Sequence, residues 1–441
     1  MKPMATNPSR EPANRRKVTS RTRGKPPLED ARREDPRAGE PVATEPERAE
    51  MPEAAKAVPG DIAEQRASTG QGLAVQGVLE LHPQGYGFLR DAAQDYRPTP
   101  LDAFLPAPTI ESLRMRPGNF VRGVAYASGR GGPRIAEVLE VDGLPAEEYR
   151  NVKTFDELTP IVPRSWFQLE TGPEPLSTRV IDLLAPLGKG QRALIVAAPR
   201  TGKTILLQQI ANAISTNYQD VDLFVMLVDE RPEEVTEFRR RVRGEVLASS
   251  LDRDVEGHVR LSRLVVDRCK RLAERGRDVF LLVDSLTRMA RAFNKWIGGG
   301  AGRTMSGGLD IRALDTPKKL FASARAFDEG GSLTIVATAL IDTGSRMDEV
   351  IFEEFKGTGN MELVLDRQLA DRRVWPAIDI TRTGTRHEEM LLDPATLHAV
   401  TMLRRTLITM HPVDAMERLT AQLAKHKSNA ELVSLISGRA A

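Results

Sequence analysis

The residues with the clearest chemistry lie in one short segment, Ala197–Thr204, which reads A-A-P-R-T-G-K-T. An apolar run precedes it and helical apolar spacing follows it, which is the strand, tight loop and helix that a phosphate-binding P-loop requires. Gly202 lets backbone N–H groups turn toward phosphate oxygens, Lys203 reaches the β- and γ-phosphates, and Thr204 offers a hydroxyl to Mg²⁺. The segment predicts a nucleotide site, although Ala197 replaces the first glycine of the general pattern.

Two acidic residues further along each end an apolar run. Such runs fit strands buried on both faces of a parallel sheet, which place side chains at the strand ends where ligands bind. Glu230 is predicted to orient and polarise an attacking water, and the alternative is that it caps a helix or pairs with Arg239. Asp284 follows four or more apolar residues, which is the Walker B pattern, and is predicted to hold Mg²⁺ against Thr204, usually through water.

A second kind of chemistry is indicated nearer the amino terminus, in Gly85–Arg90, which reads G-Y-G-F-L-R. Side chains alternate along a strand, so Tyr86 and Phe88 point to one face and Arg90 continues it. Two rings and a guanidinium on one face form a stacking platform for bases of single-stranded nucleic acid. The alternative is that both rings belong to a core; the glycines on either side and Arg90 on the same face favour binding.

Two glycine-rich stretches, 298–308 and 341–346, each carry an arginine, Arg303 and Arg346. A pair of such loops suits contacts with phosphodiesters, and the alternative is ordinary surface loops with Arg346 in a salt bridge.

Arg386 and Trp375 lie far along the chain from the P-loop. Arg386 is a candidate arginine finger that stabilises transition-state charge on a neighbour's ATP. Trp375 is predicted either to stack on adenine or to lie in a core.

The elements that must position these residues form four predicted segments. Short alternating strands broken by Gly and Pro predict a small β-barrel of the OB/cold-shock type, and alternating strands and helices after it predict a doubly wound, mainly parallel sheet ending in helices. The predicted segments are a disordered charged tail (1–70), the barrel (72–142), a connector (143–178) and the nucleotide-binding domain with C-terminal helices (179–441).

Composition narrows the class of protein. The 441 residues carry a net charge of only +2, so any nucleic-acid site must be a local one. No apolar run approaches a membrane span and the amino terminus lacks an apolar signal core, so we expect no export. A single cysteine, Cys269, fits the cytoplasm. Residues 1–25 hold eight basic residues against one acidic residue, which indicates either weak contact with phosphates or a solvated tail.

Residues from about 75 to 435 resemble the bacterial transcription termination factor Rho family, ring-shaped RNA-dependent ATPases with a RecA-like P-loop core. The most specific matches are the stretches 228–237, 283–292 and 331–363. The resemblance implies an ATP-dependent RNA translocase and helicase that binds nascent single-stranded RNA, forms a homohexamer, uses ATP and Mg²⁺, and acts on the RNA polymerase elongation complex.

The resemblance also implies roles for individual residues. The implied catalytic set is Lys203, Thr204, Glu230, Asp284 and, from the adjacent subunit, Arg386, with Thr204 and Asp284 near the metal. The implied nucleotide contacts are Gly188, Lys189, Gly190, Gln191, Arg192, Ala193, Arg200, Thr201, Gly202, Lys203, Thr204, Ile205, Arg231, Arg288, Arg373 and Trp375. The implied RNA contacts on the barrel are Gly85, Tyr86, Gly87, Phe88, Leu89, Arg90, Asp102, Ala103, Phe104, Pro133, Arg134 and Ile135. Those in the central pore are Arg303, Thr304, Met305, Ser306, Gly307, Gly308 and Arg346.

The chain departs from the family pattern at several places. The pore loops carry Arg303, where the family usually has lysine, and Arg346, where it often has lysine. The charge is kept, but a planar guanidinium replaces a compact ammonium group, so the geometry of the contact differs. The segment 133–135 lacks the aromatic that usually belongs to the barrel site, so we expect one stacking surface to be missing and the RNA affinity or base preference to differ. The small helical subdomain that precedes the barrel in many members is not found, and the charged tail occupies its place.

Two rival functions are weighed against this one. One is an RNA-independent ring ATPase related to the catalytic subunits of rotary ATP synthases, which has no need of G-Y-G-F-L-R or the arginine-bearing loops. The other is a plain RNA-binding module with a degenerate ATP site, against which the intact set of nucleotide residues argues.

Overall fold

The computed structural model describes residues 72–127, 132–298, 304–305 and 307–438, with the side chains of residues 304, 305 and 311 left out. The predicted tail (1–70) lies outside the described residues and stays a prediction. Among the described residues, no helix combines the length and the apolar character needed to cross a membrane.

The first part of the described chain is a β-barrel, as the sequence predicts. Its strands are β1 (Leu73–Leu81), β2 (Gly87–Arg90), β3 (Ala103–Leu105), β4 (Phe120–Tyr126) and β5 (Arg134–Val141), with a short helix α1 (Ala107–Ser112) after β3. The strands follow the order β3-β2-β1-β4-β5, and a pairing between β3 and β5 closes the sheet. Alternate residues such as Leu79, Leu105 and Val121 are fully buried inside it, because strand side chains alternate between the two faces.

Short elements link the barrel to the larger sheet. They are β6 (Leu144–Pro145), α2 (Ala146–Tyr149), β7 (Pro160–Ile161), β8 (Trp166–Phe167), α3 (Leu176–Leu184) and β9 (Leu187–Gly188). The segment is tied to the nucleotide-binding domain, since β7 pairs with β16 (Arg325–Phe327) and β8 pairs with β9.

The larger sheet contains six parallel strands in the order β12-β11-β13-β17-β10-β18. These strands are β10 (Arg192–Ala197), β11 (Asp222–Glu230), β12 (Glu245–Ser250), β13 (Asp278–Asp284), β17 (Ser332–Leu340) and β18 (Met361–Leu365), with β19 (Gly384–Thr385) antiparallel at one edge. The P-loop strand β10 lies between β17 and β18. The predicted doubly wound parallel sheet is confirmed. Two of its strands, β12 and β18, were not predicted because their apolar runs are only three residues long, Val246–Ala248 and Leu363–Leu365.

Helices cover both faces of this sheet. They are α4 (Lys203–Asn217), α5 (Pro232–Arg241), α6 (Val255–Glu274), α7 (Leu286–Ile297), α8 (Asp315–Ala322), α9 (Arg346–Phe355), α10 (Arg367–Asp371), α11 (Pro394–Leu407), α12 (Pro412–Leu423) and α13 (Asn429–Ile436). Successive residues of β10 enter two separate cores: Ile195 packs with α4 and the C-terminal helices, whereas Leu194 and Val196 pack with α6, α7 and α8. Burial on both faces explains the continuous apolar runs of these strands.

The barrel is docked against α6. Gly118 comes so close that a Cβ built on it would lie 2.4 Å from the backbone carbon of Asp267. Arg116 of the barrel forms a bidentate pair with Glu274, at 2.6 and 2.7 Å. This helix begins at Val255, where the Asp254 side chain caps the first turn by accepting from the N–H of Gly257.

Candidate nucleotide and RNA sites

The P-loop lies at the carboxyl end of β10, where it turns into α4. Gly202 has φ +82°, and a Cβ built on it would lie 2.7 Å from the ring of Trp375. Arg200 also has a positive φ, 66°, and the Thr201 hydroxyl donates to the Ala198 carbonyl at 2.7 Å. The glycine is therefore needed both for the turn and for the close approach of the tryptophan.

The lysine of this loop and the Walker B aspartate are in direct contact. Lys203 pairs with Asp284, which is 1% exposed at the end of β13. The other Asp284 oxygen accepts from the Thr338 hydroxyl on β17 at 2.7 Å. The Thr204 hydroxyl lies 3.5 Å from a Glu234 oxygen. Thr338 and Glu234 were not predicted; the available signal for Thr338 was a threonine near the carboxyl end of a largely apolar strand.

The donor set fits Mg²⁺ brought in with a nucleotide. Within the described ranges, no group of three or more His, Cys, Asp or Glu side chains forms a ready-made metal site. Mg²⁺ commonly uses one or two carboxylates together with phosphate oxygens and water. One buried carboxylate, Asp284, beside the P-loop hydroxyl of Thr204 meets that requirement.

Glu230 points into the same site from the neighbouring strand. A register shift between Val228 and Glu230 interrupts the β11–β12 ladder, and such a bulge re-aims the side chain that follows it. Glu230 is 1% exposed, and Arg288 of α7 donates to its carboxylate at 2.8 Å. Burial raises the pKa of Glu230, the nearby charge of Asp284 raises it further, and Arg288 opposes both. Arg239 pairs instead with Asp95 of the barrel.

Two large apolar side chains are exposed beside the loop. Ile205 is 60% exposed and Trp375 is 44% exposed, so Trp375 is not a core residue. An exposed aromatic packed over the P-loop glycine is placed to meet a flat ring of a bound nucleotide. Arg231 and Arg373 are exposed in the same region of the chain, next to Glu230 and Trp375 respectively.

Arg386 and the stretch 188–193 lie at the opposite, amino end of the parallel strands. Arg192 begins β10, which is six residues long, so about 16 Å separates it from the P-loop end at ~3.3 Å per residue. Asn360 ties both arginines together, since its side-chain oxygen accepts from the N–H of Arg192 at 2.8 Å and its carbonyl from the N–H of Arg386 at 2.9 Å. Burial lowers the pKa of Arg192, and the charges of Arg325 and Arg386 lower it further. The structure therefore groups 188–193 with Arg386 and not with the P-loop of the same chain.

An aromatic cluster occupies the barrel surface. The ring centroids of Phe88 and Phe104 are 5.8 Å apart, and Tyr86 lies 5.8 Å from Phe88 and 5.5 Å from Phe104. His82, which was not predicted, stacks on Tyr86 at 4.3 Å with an interplanar angle of 10°. Phe88 is half-buried, and the stacked His82 covers one face of Tyr86.

The other predicted RNA residues of the barrel divide into surface and supporting positions. Arg90 is buried between Glu80 and Asp102, so this cation holds strands together beneath the rings. Arg134 lies over the Phe104 ring at 5.5 Å. The Pro133 carbonyl accepts from the N–H of Phe104 at 2.8 Å. The supporting positions are those buried in the barrel: Gly87, Leu89, Ala103 and Ile135. Gly85 makes the turn before β2 with φ +88°.

Part of the predicted pore contact is described. Arg303 and Ser306 lie outside the described residues. Thr304–Met305 forms β14, which pairs antiparallel with β15 (Leu309–Asp310) as a β-hairpin, and Gly307 and Gly308 lie between the two strands. A Cβ built on Gly307 would lie 2.9 Å from the backbone nitrogen of Met347. This hairpin and the exposed start of α9 at Arg346 are therefore brought together.

Comparisons with known proteins agree with this arrangement. The model of the Rho termination factor, RNA-binding domain, matches residues 75–147, and that of the ATP synthase alpha/beta family, nucleotide-binding domain, matches residues 177–384. A solved ATPase from the type III secretion system of pathogenic bacteria has a TM-score of 0.54 at 21% identity, covering 70% of this chain and 94% of that chain. This last likeness concerns the fold alone.

Relatives are similar over most of their length. Transcription termination factor Rho of Cereibacter sphaeroides is 47% identical over 376 residues, which cover 84% of this chain and 89% of that protein. The same factor of Aquifex aeolicus is 47% identical, covering 82% and 84%, and that of Haemophilus influenzae is 46% identical, covering 85% and 90%. The chain belongs to the transcription termination factor Rho family.

Proposed function

We propose that this chain terminates transcription by hydrolysing ATP at the P-loop and using the energy to pull single-stranded RNA that the barrel captures. The observation that carries this is the meeting of Lys203, Asp284, Glu230 and Arg288 at one end of the sheet, in a chain that also carries the barrel aromatics. Nascent RNA in a bacterium is cytoplasmic, so this function places the protein in the cytoplasm, next to the polymerase elongation complex.

The nucleotide residues divide the work of hydrolysis. Lys203 pairs with Asp284 in this structure. When ATP binds, its ammonium group moves to the β- and γ-phosphates. Thr204 and Asp284 would hold Mg²⁺, which supplies positive charge to the phosphate oxygens. Glu230 orients water and accepts its proton, while Arg288 holds this carboxylate in place. Ile205 and Trp375 lie on either side of the adenine.

Arg386 acts on the nucleotide of a neighbouring subunit. It lies at the amino end of the parallel strands, while the P-loop lies at the carboxyl end. An arginine finger must touch the transferred phosphoryl group. Head-to-tail contact between copies, in which the amino edge of one sheet closes on the P-loop of the next, satisfies this need and generates a ring. We propose that the ring is a homohexamer and that 188–193 line its shared nucleotide site.

Helix α7 connects hydrolysis to the pore. Arg288 contacts Glu230, and Arg291, one turn later, donates to Asp348 of α9 at 2.7 Å. Arg346 begins α9, next to the hairpin that carries Gly307. A change at the γ-phosphate that displaces Glu230 can therefore be transmitted through Arg288 and Arg291 on α7 to the start of α9 and the hairpin, which contact RNA.

The rival ring ATPase and the plain RNA-binding module are less well supported. The barrel matches an RNA-binding domain model, for which an RNA-independent ATPase has no use. The contact of Lys203 with Asp284 and the burial of Glu230 argue against a degenerate site.

ATP hydrolysis with and without single-stranded polycytidine tests the proposal. We expect strong stimulation by the RNA, little by duplex DNA, and none in Lys203→Ala, which should still bind RNA through the barrel. RNA-independent hydrolysis would favour the rival ring ATPase. RNA binding without any hydrolysis would leave only the barrel function.

A further inference from the structure

A continuous row of side chains crosses four strands of the barrel. Phe88 on β2 is the register partner of Phe104 on β3, and Phe104 is the partner of Arg134 on β5. Arg134 is in turn the partner of Tyr126 on β4. Register partners on neighbouring strands project to the same face of a sheet. The row Phe88, Phe104, Arg134 and Tyr126 therefore lies on one face.

The neighbours of this row show which face it is. Leu89, Ala103, Ile135 and Ala125 each adjoin a member of the row along a strand, and all four are buried in the barrel. Since side chains alternate along a strand, the row itself points outward. The observed positions agree, because Arg134 and Tyr126 are exposed and Phe88 and Phe104 are half-buried.

Tyr126 ends the row as a large exposed ring. It is 47% exposed, and its ring lies against the backbone at Gly72, where a Cβ would be 3.7 Å away. The guanidinium of Arg134 lies 5.5 Å from the Phe104 centroid, and the strand register places Arg134 between Phe104 and Tyr126 in the row. Rings and guanidinium planes are the surfaces on which unpaired bases stack.

We propose that Tyr126 is the third base-stacking ring of the RNA surface, supplied from β4 because 133–135 carry no aromatic. A single strand of RNA crosses the barrel strands along the row, stacks on Phe88 and Phe104, passes Arg134 and places a further base on Tyr126. The inference rests on the proposed function of the barrel. It adds the length of the bound RNA strand and its path across the barrel. Adjacent strands lie about 4.8 Å apart, so the row spans about 14 Å.

The test compares oligocytidines of two and five nucleotides in competition with a labelled RNA, using the full chain. The dinucleotide covers only the first two rings, whereas the pentanucleotide reaches Tyr126. We expect Tyr126→Ala to weaken binding of the pentanucleotide by about 5- to 150-fold, the range of one stacked base, without changing binding of the dinucleotide. Tyr126→Phe should retain the affinity. Leu139→Ala, which removes another exposed apolar side chain of the barrel (48% exposed), should change neither.

Phe88→Ala separates this inference from the function on which it rests. It should weaken both oligonucleotides. If it weakens neither, the barrel site itself is wrong. If Phe88→Ala weakens both but Tyr126→Ala leaves the pentanucleotide unchanged, only the role of Tyr126 is overturned.

Crosslinking gives a second readout. A pentanucleotide with a photoreactive base at each end in turn should label the tryptic peptide Gly123–Arg130, which contains Tyr126, from one end only. If neither end labels that peptide, the RNA does not follow the path to Tyr126 proposed here.

Discussion

Glu230 illustrates at the scale of a single residue how the fold makes a base. Its carboxylate is buried, and burial and the charge of Asp284 raise its pKa, while Arg288 and Lys203 lower it. A general base works best when its pKa lies near the working pH and it is ionised. Of the two cations that lower the pKa of Glu230, Arg288 at 2.8 Å has the larger effect.

We predict that Arg288→Gln shifts the acidic limb of the kcat profile to higher pH. Loss of the cation raises the pKa of Glu230, so a larger fraction of the base is protonated at any given pH below neutrality. The measurement is RNA-stimulated kcat between about pH 5.5 and 9. Arg291→Gln, one turn away and paired with Asp348, should reduce RNA stimulation without moving the limb. An unmoved limb in Arg288→Gln would show that another group titrates.

Glu230→Gln tests the base itself. Loss of general-base catalysis is expected to lower kcat by about 10²- to 10⁴-fold while ATP affinity is kept, because the amide cannot accept the proton from water. Single-turnover hydrolysis with a separate nucleotide-binding assay distinguishes the two effects. A variant that retains more than a tenth of kcat would exclude the assigned role.

At the scale of elements, the P-loop depends on a close approach between the start of α4 and the segment after α10. Gly202 caps the helix in a left-handed conformation. It has no Cβ, and a Cβ at this position would lie only 2.7 Å from the Trp375 ring. The strand, loop and helix form the phosphate-binding site, and Trp375, 173 positions after Gly202 in the sequence, covers one side of it.

Gly202→Ala is expected to lower nucleotide affinity at least tenfold. The added methyl overlaps Trp375 and also carries the cost of the left-handed backbone, about 1 kcal/mol. Gly276→Ala is the matched control, because it has φ +72° and nothing within 4 Å of its would-be Cβ. Titration with a fluorescent nucleotide compares them, with thermal unfolding as the check on folding. Equal affinities would mean that Trp375 does not shape the site.

At the scale of the whole molecule, the barrel and the nucleotide-binding domain form one docked unit. Arg116 pairs with Glu274, Arg268 pairs with Asp142, and Gly118 sits against the backbone of α6. Captured RNA therefore enters a molecule in which the barrel is held in a fixed position relative to the loops at the carboxyl edge of the sheet.

Gly118→Ala should reduce RNA stimulation of the ATPase and lower the melting temperature by several degrees. A methyl 2.4 Å from the Asp267 backbone forces the barrel away from α6, and overpacking typically costs about 1–3 kcal/mol. Gly143→Ala, just after the last barrel strand β5, has φ +77° and open space around its would-be Cβ, so it controls for backbone strain. RNA-free hydrolysis should be the same in both variants. Stimulation that survives in Gly118→Ala would show that the docking does not couple the domains.

The separation of Arg386 from the P-loop predicts complementation between inactive subunits. Lys203→Ala and Arg386→Ala should each be inactive alone. Mixed rings contain interfaces that pair an intact lysine of one subunit with an intact arginine of the next, so co-expressed chains should recover part of the ATPase activity. Recovery should be lost when both substitutions are placed in the same chain and mixed with either one. No recovery in verified mixed oligomers would contradict the trans role.

The sequence by itself determined the motifs and the class of fold. The P-loop, the Walker B aspartate and the barrel aromatics are local patterns, set by residue type, spacing and strand periodicity, and they were enough to predict both domains and the family. Tertiary structure decided which of these residues meet. It buried Arg90 beneath the rings, stacked His82 on Tyr86, and brought Thr338 to Asp284. It also placed Arg386 away from the P-loop and set Tyr126 in line with Phe104 through Arg134. These outcomes depend on strand order and register between distant segments, which no local pattern encodes.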